Sequence, residues 1–195
     1  MRVSAPSAQR IYRRRRAAGG MFLAGLLLLV VFLFGAFGTH SSTGLQGDRL
    51  GPDEESRAEY IARAQKQLAE VDADSPTYAL VSFDHDLSAT ETAAAVSPIR
   101  RLNAVIIAQS APLAVPEPIA GEERTDVLDR LFARVSSSLS GVGTTPALDK
   151  ASAVLVWDDG AHLQELADNS LIAAVEPAPA DAPWGSFAVR PLGTD

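Results

Sequence analysis

From Gly19 to Gly38 the chain reads GGMFLAGLLLLVVFLFGAFG, twenty residues without a charge. As a helix such a run is about 30 Å long, the thickness of a bilayer's hydrocarbon core. It predicts a single transmembrane helix over 19–38, so any folded domain must come from the flanks. A cleaved signal peptide competes with this reading, but its apolar region is usually about 7 to 15 residues long and ends in a small-x-small site. Gly35-Ala36-Phe37-Gly38 is a poor match to such a site. A buried core helix is the other competitor, and the lack of any polar face argues against it. Arg13, Arg14, Arg15 and Arg16 stand just before the run. Cations gather on the cytoplasmic flank of membrane spans and suit contact with anionic lipid. The expected localisation is thus the cytoplasmic membrane, crossed once. Residues 1–18 form a basic cytoplasmic segment and the chain from residue 39 onward lies outside the cytoplasm.

Charge divides the chain at the same place. All 24 Asp and Glu lie beyond position 39, with only 11 of the 17 Lys and Arg, a balance of −13. Such a surface repels nucleic acid and favours basic protein surfaces or cations. The absence of cysteine removes disulfides, thiolate metal sites and cysteine nucleophiles. Arginine outnumbers lysine 15 to 2, a bias that fits a GC-rich bacterial genome. The length allows one ordinary domain plus appendages.

Residues 39–52 begin THSSTGLQGD, small and polar, and read as a tether. Pro52-Asp53-Glu54-Glu55 looks like a helix start, and Ala58, Ile61, Ala64, Leu68 and Val71 line one stripe of an amphipathic helix over 53–71. That stripe must pack on the same domain, on a second copy or on a partner. An α+β domain is expected over 76–177. Its elements are a strand at 77–83, a helix at 88–96 capped by Ser88 with Glu91, a strand at 102–108, a helix at 122–139, a strand at 151–157, a helix at 162–167 and a strand at 171–175. Two strand-helix-strand units predict the ferredoxin-like split arrangement, a four-stranded antiparallel sheet with helices on one face and an extra helix between the halves. A doubly wound parallel sheet is the alternative, and no glycine-rich phosphate loop supports its ligand-binding form. Prolines 177, 179 and 183 set off residues 178–195 as a Pro-rich tail.

The segment Val154 to Pro179, VLVWDDGAHLQELADNSLIAAVEPAP, resembles the second half of the propeptide and inhibitor domains of subtilisin-type proteases. Leu163 and Leu166 match that family's L-x-x-L helix, and Ile172, Val175, Glu176 and Pro177 match its V-x-x-V-E-P strand. The resemblance implies a ferredoxin-like fold and an inhibitory role. It covers about 26 residues, and this chain begins with a membrane anchor rather than leading into a protease.

Chemistry-bearing residues gather after two strands, in SFDHD (Asp84, His85, Asp86) and in WDDGAH (Asp158, Asp159, His162). If the first and third strands are neighbours running the same way, both turns fall at one end of the sheet. The six residues then form an acidic, histidine-bearing rim for a divalent cation or a basic partner. The alternative is a pair of solvated helix-starting turns. In the tail, Trp184 and Phe187 are candidates for partner docking or for folding back onto their own domain. No glycine-framed serine elbow and no H-E-x-x-H helix is present, so neither an enzyme nor a cofactor is expected. These readings converge on a non-catalytic single-pass membrane protein, an accessory or assembly subunit of a respiratory or cell-envelope complex. Its partners would be the lipid bilayer and a membrane protein complex. A membrane-anchored inhibitor and a weak cation-binding module are the alternatives.

Overall fold

The computed structural model describes residues 49–108, 110–139 and 148–193. The apolar run 19–38 and the basic segment before it lie outside the described residues, among which no helix is long and apolar enough to cross a membrane. Strand β1 is Arg49–Leu50, helix α1 Arg57–Ala69, strand β2 Pro76–Leu87, helix α2 Ala89–Ala95 and strand β3 Arg101–Ile106. Then come strand β4 Leu113–Ala114, helix α3 Arg124–Leu139, strand β5 Ala151–Asp159, helix α4 Gly160–Ala167, strand β6 Ile172–Pro177 and strand β7 Ala188–Val189. The described residues thus make an α+β fold of four helices around a five-stranded antiparallel sheet of order β4-β3-β5-β2-β6, with β1 and β7 forming a separate two-stranded parallel pair.

The sheet buries both faces because its strands alternate. Ala79, Val81 and Phe83 of β2 and Val154 and Val156 of β5 face the helices, where they meet Val96, Leu128, Phe132, Leu163 and Leu166. Leu80, Ala153, Leu155 and Ile106 face the other way and meet Leu50, Ala178 and Phe187. In β3 the alternation slips at Asn103, where the register against β5 shifts between Leu102 and Ala104. The bulge puts Leu102 and Val105, three residues apart, into the same core.

Four expectations need correction. Helices do not occupy one face alone: α1 lays Tyr60 and Ala64 against Ala174 and Leu192, and the tail covers the rest of the second face. Helix α1 starts after Ser56, whose side chain and Glu59 form a reciprocal capping box, rather than at Asp53. Its buried stripe is Tyr60, Ala64 and Leu68, while Ala58 is exposed. Arg49–Leu50, assigned to the tether, and Ala188–Val189, assigned to the Pro-rich tail, are instead built into the fold as the β1/β7 pair.

Helix α2 is capped as expected: Ser88 Oγ accepts from the Glu91 N–H while the Glu91 carboxylate accepts from the Ser88 N–H at 2.9 Å. Ser88→Ala is expected to cost about 1 kcal/mol of stability, the usual worth of an N-cap side chain, as measured by urea denaturation.

Candidate functional site

The two halves of the expected rim lie at opposite ends of the sheet. Strand β5 runs antiparallel to β2, with Pro76 opposite Asp159 and Leu87 opposite Ala151. Asp84 and Asp158 are therefore separated by roughly 20 Å along the strands. The reason is the interleaving of the two units. Strands β2 and β3 are parallel to each other with β5 between them running the other way, so the turn after β2 and the turn after β5 must point in opposite directions.

SFDHD is not a turn either. It continues β2 as far as Leu87 through a bulge, where register is lost between Ser82 and Leu87. Asp84 and His85 are exposed, with 4.0 Å between the His85 Nδ1 and the Asp84 carboxylate. Asp84 instead accepts from Arg57 at 2.9 Å, and the same guanidinium donates to the Gly193 carbonyl, joining α1, β2 and the end of the tail. Asp86 has one buried carboxylate oxygen without a hydrogen-bond partner among the described residues.

WDDGAH builds a tighter cluster. Asp158 is fully buried. One of its oxygens accepts from the Arg100 N–H at 2.5 Å, and the other takes the Asp159 N–H at 2.8 Å and the His162 Nδ1 at 2.9 Å. Arg100 also reaches Asp159 at 2.6 Å and stacks over Trp157. Gly160 is required at the start of α4, because a Cβ there would lie 2.3 Å from the Asp72 carbonyl oxygen. Asp158, Asp159 and His162 bring one potential ligand atom each within 4.8 Å of one another. Both Asp158 oxygens are already engaged by N–H donors, so a cation would have to displace a helix start. Added Ca²⁺, Mg²⁺ or Zn²⁺ is accordingly expected to leave the melting temperature unchanged, as scanning calorimetry with and without each ion would show.

The same cluster predicts a pH window. Burial alone would raise the Asp158 pKa, but hydrogen bonds from the Arg100 N–H, His162 and the Asp159 N–H together hold it below the usual carboxylate value. The hydrogen bond to Asp158 raises His162 above its ordinary value. A lowered carboxylate stabilises the fold above about pH 4 and loses that contribution as pH falls through its folded pKa. A raised histidine stabilises below about pH 6.5 and loses its contribution as pH rises through its folded pKa. The melting-temperature advantage of wild type over His162→Gln is therefore expected to be largest between roughly pH 4 and 6.5 and to fade above that.

A second polar cluster, built on Arg63 and Glu176, was not anticipated. Glu176 is 2 % exposed and sits in β6; its carboxylate accepts from Arg63 and from the Gly51 N–H, both at 2.5 Å. Arg63 also pairs with Glu55 at 2.6 Å, donates to the Gly51 carbonyl at 3.1 Å and lies over the Tyr60 ring. The hydrogen bond from Arg63 lowers the Glu55 pKa, and burial, reinforced by the Glu176 charge, pushes the Tyr60 hydroxyl far above its ordinary value. The cluster borders an open groove of about 640 Å³ between α1, the start of β2 and the end of β6, lined also by Arg49, Gln67, Glu70 and Thr77. The sequence signal for it was Glu176 itself, a charge in an otherwise apolar strand that could be buried only with a partner.

In the tail, Phe187 is buried against the second face of the sheet. Trp184 remains 46 % exposed, its ring 5.4 Å from that of Tyr78 and tilted by 40° to it, and edge-on to Phe187. Phe187 thus folds back onto its own domain, while Trp184 rests on Tyr78 with about half of its surface open.

No family model matches the chain, and no curated protein or solved structure matches it. The resemblance at 154–179 rests on its own residues, which do form a strand, a helix and a strand in β5, α4 and β6.

Proposed function

We propose that the protein is a non-catalytic, single-pass membrane protein whose acidic domain stands outside the cytoplasm as an accessory or assembly subunit of a bacterial membrane complex, respiratory or of the cell envelope. The observation that carries this reading is how the chain enters the fold. Arg49, Leu50 and Gly51 follow the tether directly and are tied into the domain by the pairing with β7 and by the Gly51 bonds to Glu176 and Arg63. A domain whose entering strand is secured in this way can be carried on a preceding segment without fraying at its start, which suits a mounted platform. Its exposed acids offer a surface for basic partners. Purification of the full chain from its native membrane in mild detergent tests the proposal. A companion membrane protein at fixed stoichiometry is expected; solitary recovery under several detergents would contradict it.

Part of this reading is the finer fold assignment. Strands β6, β2, β5 and β3, with α2 and α4 as crossovers, fit the ferredoxin-like split arrangement, with β4 added at one edge and α3 between the halves. The inhibitor alternative draws on the same arrangement. Against it, the segment after Pro177 folds over its own sheet, where Ala178 and Phe187 are buried, instead of extending away as an inhibitory tail. Assay of the domain against a panel of subtilisin-type proteases decides: slowed hydrolysis that depends on Val175 to Pro179 would revive this reading. The cation-module alternative is left with Asp158, Asp159 and His162 alone.

A further inference from the structure

The second face of the sheet is covered by a segment whose attachment differs from that of the rest of the fold. Strands β2 and β5 are held to their neighbours by continuous ladders, with registered pairs from Pro76–Asp159 to Ser82–Ala153. From Pro179 to Phe187, among the described residues, the backbone bonds only within its own turns, Ala182 N–H to the Pro179 carbonyl and Ser186 N–H to the Pro183 carbonyl. Side chains alone seat this stretch: Ala182, Trp184 and Phe187 lie on Tyr78 and on the face formed by Leu80, Ile106 and Leu155. At its near end it is hinged at Ala178, whose N–H bonds the Tyr78 carbonyl, and prolines at 179 and 183 follow. At its far end it is fastened by the two-residue β1/β7 pair, by the Arg190 N–H donating to the Leu50 carbonyl at 2.8 Å and its guanidinium to the Asp53 carbonyl, and by two contacts with α1, Leu192 packed against Tyr60 and Ala64 and Arg57 donating to the Gly193 carbonyl.

We infer that residues 179–193 form a detachable strap, latched to Arg49–Gly51, which opens as a unit while the sheet stays folded. Segments with few backbone bonds to the body open at a lower free energy than the core ladders. Gly51 is the catch. Its φ of +107° is one that side-chain-bearing residues rarely adopt, and a Cβ there would fall 1.7 Å from the Arg190 carbonyl oxygen. The latch closes only because that position is bare. Opening uncovers Leu80, Ile106 and Leu155, so the accessible apolar area of the domain is set by a contact made at the first residues of the fold.

Native-state amide exchange on the full chain in detergent micelles tests this, with two variants. Because the chain has no cysteine, Arg49→Cys with Ala188→Cys, positions paired across the latch, introduces a single disulfide. In the wild type the Arg190 amide, which bonds the Leu50 carbonyl, is expected to exchange at least tenfold faster than the hydrogen-bonded amides of the β2/β5 ladder. Oxidising the double-cysteine variant should slow the latch amides toward the core rate and reduction should restore them. Gly51→Ala should accelerate them further with the core amides unchanged. Wild-type strap amides exchanging at the core rate, or strap rates indifferent to the disulfide, would overturn the inference.

Discussion

Arg63→Ala is expected to lower the unfolding free energy by about 3 to 5 kcal/mol, the usual loss when a buried ion pair is broken from one side. Glu176, 2 % exposed, would lose its cation and keep neutral partners, the Gly51 N–H and the neighbouring Tyr60 hydroxyl. The reverse change should cost less. Arg63 is about one-third exposed and retains Glu55, so Glu176→Ala leaves a guanidinium that is still paired and still wet. The expected order, Arg63→Ala worse than Glu176→Ala, separates a stranded charge from a merely lost contact. Guanidinium denaturation of both variants measures it. Equal losses below about 1 kcal/mol would place the pair among ordinary surface bridges.

Phe83→Ala is expected to cost about 3 to 5 kcal/mol, because a phenyl ring removed from a closed core leaves a cavity that its neighbours fill only in part. Phe83 has no exposed surface, packs in the helix-facing core and stands directly before the bulge that carries Asp84 and His85. His85→Ala, two residues on and exposed, should change stability by no more than about 0.5 kcal/mol. The contrast tests how SFDHD is built: the core breaks off at Phe83 and resumes at Leu87, and Asp84 and His85 ride on an exposed bulge between them. Urea melts of the two single variants, compared at equal slope, give the answer. A large effect at His85 would point to a role beyond solvation.

Much of the domain could be read from periodicity. The strand TYALVSF, the run LNAVIIA, the apolar stripe Val127, Leu128, Leu131, Phe132 and Val135 and the Ser88–Glu91 box all fall in the elements expected, because each signal is local, with Leu131 and Val135 only partly buried. What periodicity does not carry is the direction of a neighbouring strand. Asp84 and Asp158 were expected to converge because their local contexts match, yet the interleaving of the units sends them to opposite ends. The strand pair β1/β7 was also illegible, since two residues per strand give no pattern and the pairing joins positions 139 apart, as in Arg49 with Ala188. The resemblance at 154–179 pointed to the right local order of strand, helix and strand, while the burial of Glu176 depends on Arg63 and Gly51 far outside it.

Residues 19–38 are proposed to cross the membrane and hold the acidic domain outside the cytoplasm, and the cysteine-free chain allows a direct test. A single cysteine is placed at Ile119, which is 71 % exposed on the domain, or at Ser7 in the basic segment, and intact cells are treated with a membrane-impermeant maleimide. Labelling of Ile119→Cys in intact cells, with Ser7→Cys labelled only after lysis, is the predicted result. Labelling of Ser7→Cys in intact cells with Ile119→Cys protected, or protection of both until lysis, would contradict it.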